Sequence, residues 1–288
     1  MSAAEAVHAE GPLAMICGGG SLPLAVADSV AARGREVLLF PLRGAADPKD
    51  YAGRAHTFVH LGQFGTVARA ARAHGARDIV LLGSVVRPSL WRLRPDWFTL
   101  RALPQVIKAF RGGDDHLLTS VGRVIEKDGF RLVGAHEVAP EILVPQGALG
   151  RARPSERDKA DMTLGLDYLR AAGLFDVGQA VVVADRHVLA VEAAEGTDQM
   201  VARIANLREA GRIGTPKGVG VLVKAPKAGQ DHRFDLPSIG PRTVAGVVRA
   251  GLAGIAVAAH EAVIAEPEAL LAAADRAGIF VFGVAAER

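Results

Sequence analysis

The feature that most restricts the fold lies near the start of the chain. A short apolar run, Leu13–Cys17, ends in Gly18-Gly19-Gly20-Ser21-Leu22-Pro23. Three successive glycines have the most backbone freedom to lose, so they extend neither a strand nor a helix cheaply and mark a sharp turn. Pro23 is tolerated in a first helical turn, where its missing N–H is not needed. A helical pattern follows over residues 24–33 and a strand pattern over 36–40. Strand, glycine turn, helix, strand is one βαβ unit, and that unit demands a parallel sheet. A helix over 65–74 and a strand Asp78–Leu82, ending in Gly83-Ser84-Val85-Val86-Arg87-Pro88, extend it. The first ~140 residues therefore read as a small doubly wound, Rossmann-like domain.

Beyond it, Trp91, Trp97, Phe98 and Phe110 stand among basic residues. The tryptophans read as core residues, with a membrane interface as the alternative. Gly112-Gly113-Asp114-Asp115 turns the chain into a helix over 116–127. The stretch 139–154, rich in Gly, Pro and Ala, is the best linker, and we place the boundary at Leu143, giving domains 1–142 and 143–288. The second half reads as a helix over 155–172, then a hairpin of strands 179–184 and 188–191. A helix to about 210 and a strand over 219–223 come next, followed by alternating helices and strands to 284. The expected fold class is α/β, a Rossmann-like N-terminal domain plus a second α/β domain at the C-terminus that carries the chemistry.

Half of the residues are hydrophobic but only 5% are aromatic, so Ala, Val, Leu and Gly must fill the core. The net charge of +3 is too small to call for nucleic acid and is compatible with anionic ligands or an anionic membrane surface. Cys17 is the one cysteine, so no intrachain disulfide can form and a reducing, cytoplasmic setting is expected. Its place in the first strand favours a buried thiol over a nucleophile. The first ten residues carry acids and no basic stretch, so a signal peptide is not expected. No apolar run approaches the ~20 residues that span a bilayer.

The densest polar chemistry falls over 224–240, KAPKAGQDHRFDLPSIG, just after the apolar strand. Open α/β sheets place their sites at strand exits of this kind. Lys224 and Lys227 are close enough in sequence to converge on one diphosphate, and Gln230 and Arg233 add neutral and forked donors. Asp231 and Asp235 can hold Mg²⁺ or orient water. Phe234, Leu236 and Pro237 argue against a free solvated loop.

Elsewhere, Gly19, Gly20, Ser21 and Leu22 suit phosphate contact at a helix N-terminus, or simply a tight turn, since neither GxGxxG nor a Walker-type lysine is present. Ser84, with Gly113 and Asp114, serves either ligand contact or helix capping. Glu195-Gly196-Thr197-Asp198 can likewise cap a helix or bind a sugar hydroxyl, an amine or a metal. The nine histidines show no zinc-ligand spacing, and no GxSxG elbow exists, so a hydrolase of this sequence would activate water directly.

Taken in order, these motifs resemble the LpxI family over nearly the full length. The resemblance rests on the Gly18–Pro23 and Gly83–Pro88 turns, Gly113-Asp114-Asp115 and Gly134-Ala135-His136-Glu137-Val138. It rests also on Glu195-Gly196-Thr197-Asp198, Lys224-Ala225-Pro226-Lys227, and Arg233 through Gly240. It implies substrate bound between two domains and hydrolysis of UDP-2,3-diacylglucosamine to 2,3-diacylglucosamine 1-phosphate and UMP in lipid A biosynthesis, with Mg²⁺ or another divalent cation. Water would attack the sugar-side phosphorus. The essential aspartate would be Asp235, with Asp231 as a secondary metal ligand. The lipid-linked substrate implies work at the cytoplasmic face of the inner membrane, and the family suggests a homodimer. The competing readings are a non-catalytic nucleotide-sugar binding protein and, less well supported, an NAD-dependent oxidoreductase.

Overall fold

A computed structural model describes residues 11–85, 94–100, 114–175, 177–227, 231–234 and 236–285. The chain forms two compact units. The first comprises Met1–Glu141 together with Asp231–Asp235, and the second Ile142–Gln230 together with Leu236–Arg288. The chain therefore leaves the second unit for five residues, within the 224–240 run.

In the first unit, β1 (Leu13–Cys17), β2 (Val37–Pro41), β3 (Asp78–Leu82) and β4 (Arg131–Leu132) form a parallel sheet ordered β2-β1-β3-β4. Helix α1 (Leu22–Ala32) follows β1, α2 (Phe64–Ala73) precedes β3, α3 (Asp114–Lys127) precedes β4, and the short α4 (Ala135–Val138) follows it. Ala14, Phe40 and Ile79 pack with Val67, Ala68 and Ala71 of α2 and Ile125 of α3. The alternate residues Leu13, Met15 and Cys17 are equally buried, as strands covered on both faces require. Chain order and spatial order part between β1 and β3, which is the switch point of this sheet.

At the opposite, amino edge, Asp78 is buried and takes hydrogen bonds from Arg131 Nε at 2.7 Å and Arg35 Nη2 at 2.5 Å. Burial alone would raise its carboxyl, but the two guanidinium groups win and hold it below the ordinary carboxylate range. Trp97 contradicts the core role read for it: it is 70% exposed. Trp91 lies outside the described residues.

In the second unit, a six-stranded sheet runs β5-β12-β10-β8-β6-β7. Its members are β5 (Gly147–Leu149), β6 (Ala180–Ala184), β7 (His187–Val191), β8 (Val221–Lys224), β10 (Gly254–Ala258) and β12 (Phe280–Val284). β8, β10 and β12 are parallel, while β5, and β6 with β7, add antiparallel edges. A second, two-stranded parallel sheet joins β9 (Ser238–Ile239) to β11 (Val263–Ile264). Strand β5 stands within the stretch that reads as a linker, and Val144 N also donates to Ala262 O at 2.9 Å.

Strand β6 shows why its sequence is apolar throughout. Ala180 and Val182 pack with α6 (Gly196–Glu209), α7 (Pro241–Arg249) and α8 (Pro267–Ala277), while Val181 and Val183 pack against α5 (Glu156–Ala172). The β6–β7 turn places Asp185 and Arg186 at φ 53 and 63, the left-handed pair that a two-residue hairpin needs. Neither is glycine. Buried Asp161 of α5 accepts from both backbone N–H groups, at 3.0 and 2.6 Å, and holds the turn. No helix among the described residues is long and apolar enough to cross a membrane.

Candidate functional site

The switch point of the first sheet brings two of the sequence motifs together. Gly19 N donates to Ser84 O at 2.8 Å, and Ser84 N returns to Gly19 O at 2.9 Å. The approach leaves no room for side chains: a Cβ on Gly19 would stand 2.8 Å from the Ala45 carbonyl, and one on Gly83 2.7 Å from the Gly19 carbonyl. Backbone atoms cannot swing aside, so the glycines are required by contact. Gly20 shares the left-handed backbone of Gly83 (φ +93 and +88) but differs in having open space where a Cβ would be. Ser21 then opens α1 without a side-chain cap, which leaves first-turn N–H groups facing the carboxyl edge. Leu22 is the first helical residue. A cavity of about 330 Å³ lined by Arg43, Ala46, Asp47, Pro48 and Phe58 lies at the exit of β2, close to this turn through Ala45. Sequence reading had no signal for it, because its lining is a loop without a motif.

The five-residue excursion adds charge to the same unit. Asp231 accepts from Arg233 at its backbone N (3.0 Å), Nε (3.0 Å) and Nη2 (2.7 Å). Arg233 Nη1 donates to Glu126 of α3 at 2.7 Å. Hydrogen bonding from Arg233 is the main cause that holds the Asp231 carboxyl low, ahead of an opposing burial effect. The two acids in turn push the Arg233 guanidinium up. Phe234 anchors the segment against α3 and β4. Gly122 makes the slot, since a Cβ there would meet the Phe234 ring at 2.4 Å. Glu126 went unread in the sequence, being one of several charges on a helix surface.

In the second unit the carboxyl edge of β8 carries the remaining candidates. Lys224 is buried and donates through Nζ to Ser238 O at 3.0 Å, tying the end of β8 to β9 across the base of the 225–237 loop. Lys227 is half-buried. The Glu195–Asp198 turn is held by protein partners. Glu195 pairs with Arg203 at 2.9 Å, Thr197 donates to Glu192 at 2.8 Å, and Asp198 pairs with Arg242 of α7 at 2.9 Å. Glu192 is nearly buried and also accepts from Gln179 N at 3.0 Å. It directly follows β7, a position from which its role could have been read.

Asp114 begins α3. Gly113, Gln230, Arg87 and Asp235 lie outside the described residues. Among the described residues no group of three or more His, Cys, Asp or Glu side chains is placed to hold a metal ion. Cys17 is fully buried, with its thiol pushed up to about 12, chiefly by burial, which matches the structural thiol expected.

Residues 12–142 match the family model of the LpxI N-terminal domain, and residues 145–282 that of the LpxI C-terminal domain. The UDP-2,3-diacylglucosamine pyrophosphatase LpxI of Caulobacter vibrioides is 44% identical over 274 residues, covering 94% of this chain and 97% of that protein. With both domain models matched in order and that identity sustained almost end to end, the chain belongs to the LpxI family.

Proposed function

We propose that the protein hydrolyses the diphosphate of UDP-2,3-diacylglucosamine to 2,3-diacylglucosamine 1-phosphate and UMP, with Mg²⁺ or another divalent cation. The observation that carries this reading is the 44% identity to the Caulobacter pyrophosphatase across 94% of the chain. A shared fold alone would not carry it, because function resides in the site.

The residues supply what the reaction needs. Charge on the non-bridging phosphate oxygens must be matched by fixed donors, and water must be held in line with the breaking bond. The uncapped start of α1 and the open backbone at Gly20 offer N–H donors to a phosphate. Arg233 is pre-organised: three of its guanidinium donors bind Asp231 and Glu126, and a guanidinium has five. The other two serve a phosphate oxygen, which makes Asp231 an orienting residue. Lys227 adds a second cation, with Gln230 as a neutral donor. Lys224 steadies the base of their loop.

Asp235 orients the attacking water. The water oxygen bonds to the sugar-side phosphorus, the bridging P–O bond breaks with its electron pair passing to UMP, and the released proton goes to Asp235. Mg²⁺ suits this segment's oxygen donors, because it is usually held by one or two carboxylates together with substrate phosphates. Both Asp231 oxygens already accept from Arg233, so Asp235 would be its principal holder. When bound, the ion would neutralise charge on the diphosphate.

The test is purified protein, substrate, and Mg²⁺ or EDTA in ¹⁸O water, with products weighed by mass spectrometry. UMP release with label in the lipid phosphate is expected, along with loss of turnover in a folded Asp235→Ala variant. Label in UMP would contradict the site of attack, and binding without product would reduce the chain to a nucleotide-sugar binding protein.

A further inference from the structure

The cavity at the exit of β2 has an aromatic wall that is held in place. Residues 57–59 run beside the free edge of β2. Thr57 N donates to Leu39 O at 2.9 Å, Val59 N to Pro41 O at 3.0 Å, and Arg43 N to Val59 O at 2.9 Å. This sets Phe58 beneath Arg43, whose guanidinium carbon lies 5.2 Å from the ring centroid. The rings of His56, at 4.9 Å, and buried Tyr51, at 6.0 Å, meet Phe58 edge-on and fix its plane.

Arg43 is exposed and makes no ion pair among the described residues, so the guanidinium face turned away from Phe58 is open to a second planar group. Asp47 accepts from Lys49 N through Oδ1 at 3.0 Å, which leaves its other oxygen for a hydroxyl. Gly44, Ala45, Ala46 and Pro48 complete the lining of about 330 Å³, which suits one flat ring system with a polar fringe. A charged guanidinium makes the same cavity a poor seat for an acyl chain.

Its place on the sheet gives the cavity a neighbour. Ala45 belongs to the lining, and its carbonyl stands 2.8 Å from where a Cβ on Gly19 would be, so cavity and glycine turn share a wall. In the order β2-β1-β3-β4 the cavity lies on one side of that turn and Ser84 on the other. Arg233 lies farther along the side of Ser84, since its Cα is 3.1 Å from where a Cβ on Gly134 would be, just past β4.

We propose that this cavity seats the nucleoside of a nucleoside 5′-phosphate, with the base on Arg43 and Phe58, a ribose hydroxyl on Asp47 and the phosphate at the Gly20–Ser21 turn. The proposal rests on the UDP-sugar reading and gives that substrate a direction. A diphosphate laid across the turn has its nucleoside over β2 and its sugar phosphate over β3 and β4, on the side of Arg233. Water held by that segment then meets the sugar-side phosphorus, not that of UMP.

The experiment is calorimetric binding of UMP and of ribose 5-phosphate to the full chain, with no lipid present. Wild type binds UMP at least about tenfold tighter than ribose 5-phosphate, because base stacking adds to the phosphate grip. Arg43→Gln and Phe58→Leu each weaken UMP binding by about tenfold and leave ribose 5-phosphate unchanged. In turnover of UDP-2,3-diacylglucosamine both raise KM and keep kcat, as loss of a contact far from the breaking bond requires. Phe58→Leu is read if its circular dichroism matches wild type; otherwise Arg43→Gln, at an exposed position, decides. UMP bound no better than ribose 5-phosphate, wild-type UMP affinity in Arg43→Gln, equal weakening of both ligands, or a loss confined to kcat would each overturn the proposal. UMP binding that depends on Arg43, without UMP release from the lipid substrate, would leave it standing and remove the hydrolase reading instead.

Discussion

Gly122→Ala tests whether the 231–235 excursion is seated in the first unit. The new methyl would stand 2.4 Å from Phe234 Cζ and 3.0 Å from Leu132 Cδ2. In an exposed helix the same change would stabilise by about 1 kcal/mol. Here the overpacking costs about 1–3 kcal/mol, and it is relieved only if the ring leaves its slot, forfeiting up to about 2 kcal/mol of apolar burial. The net expectation is a loss of about 1 kcal/mol in urea unfolding.

A double-mutant cycle isolates the cause. In a Phe234→Ala background the clash is gone, Gly122→Ala regains its helical benefit, and the coupling is about 2 kcal/mol. Turnover should fall far more than stability. Arg233 and Asp235 are the sequence neighbours of Phe234, and a misplacement of about 1 Å at such a site can cost about 100-fold. A Gly122→Ala protein that is more stable than wild type and fully active would refute the seating of Phe234.

Three further outcomes are expected. Asp78→Asn removes the buried carboxylate that Arg35 and Arg131 share and should cost about 3 kcal/mol, with turnover of the folded fraction unchanged because the group lies at the amino edge. Since the folded Asp78 carboxyl is held low, its stabilisation is complete at neutral pH and lost as pH falls through its folded value; the variant's acid-unfolding curve should lack that contribution. Asp231→Asn frees Arg233 and should lower turnover at least about tenfold while stability, in a half-exposed pair, moves by less than about 1 kcal/mol. Cys17 should resist iodoacetamide in the native protein at mildly alkaline pH and react on unfolding, since burial holds its thiol protonated.

Much of the fold was legible because its signals are local. The Leu13–Cys17 run, its glycine turn and the all-apolar β6 reveal strand, turn and burial through residues within a few positions of one another. Strand β5 was not, because Gly147, Ala148 and Leu149 are too few to show a periodicity of their own and are held by pairing with the distant β12. At the candidate site, the residue types near 224–240 were readable but their partners were not. Arg233 finds Glu126 across 107 positions, and Lys224 reaches the Ser238 carbonyl across 14.

By itself the sequence determined the α/β class, the parallel first unit, the buried thiol and the family, because turn chemistry, hydrophobic period and ordered motifs are written along the chain. Only the tertiary structure decided that Gly19 and Gly83 are required by backbone contact, that Thr197 and Asp198 are held by protein partners, and that Trp97 faces out. It also decided that 231–234 belongs with the first unit. These choices are made by packing between segments far apart in the chain, where the space left by one residue selects the conformation of another.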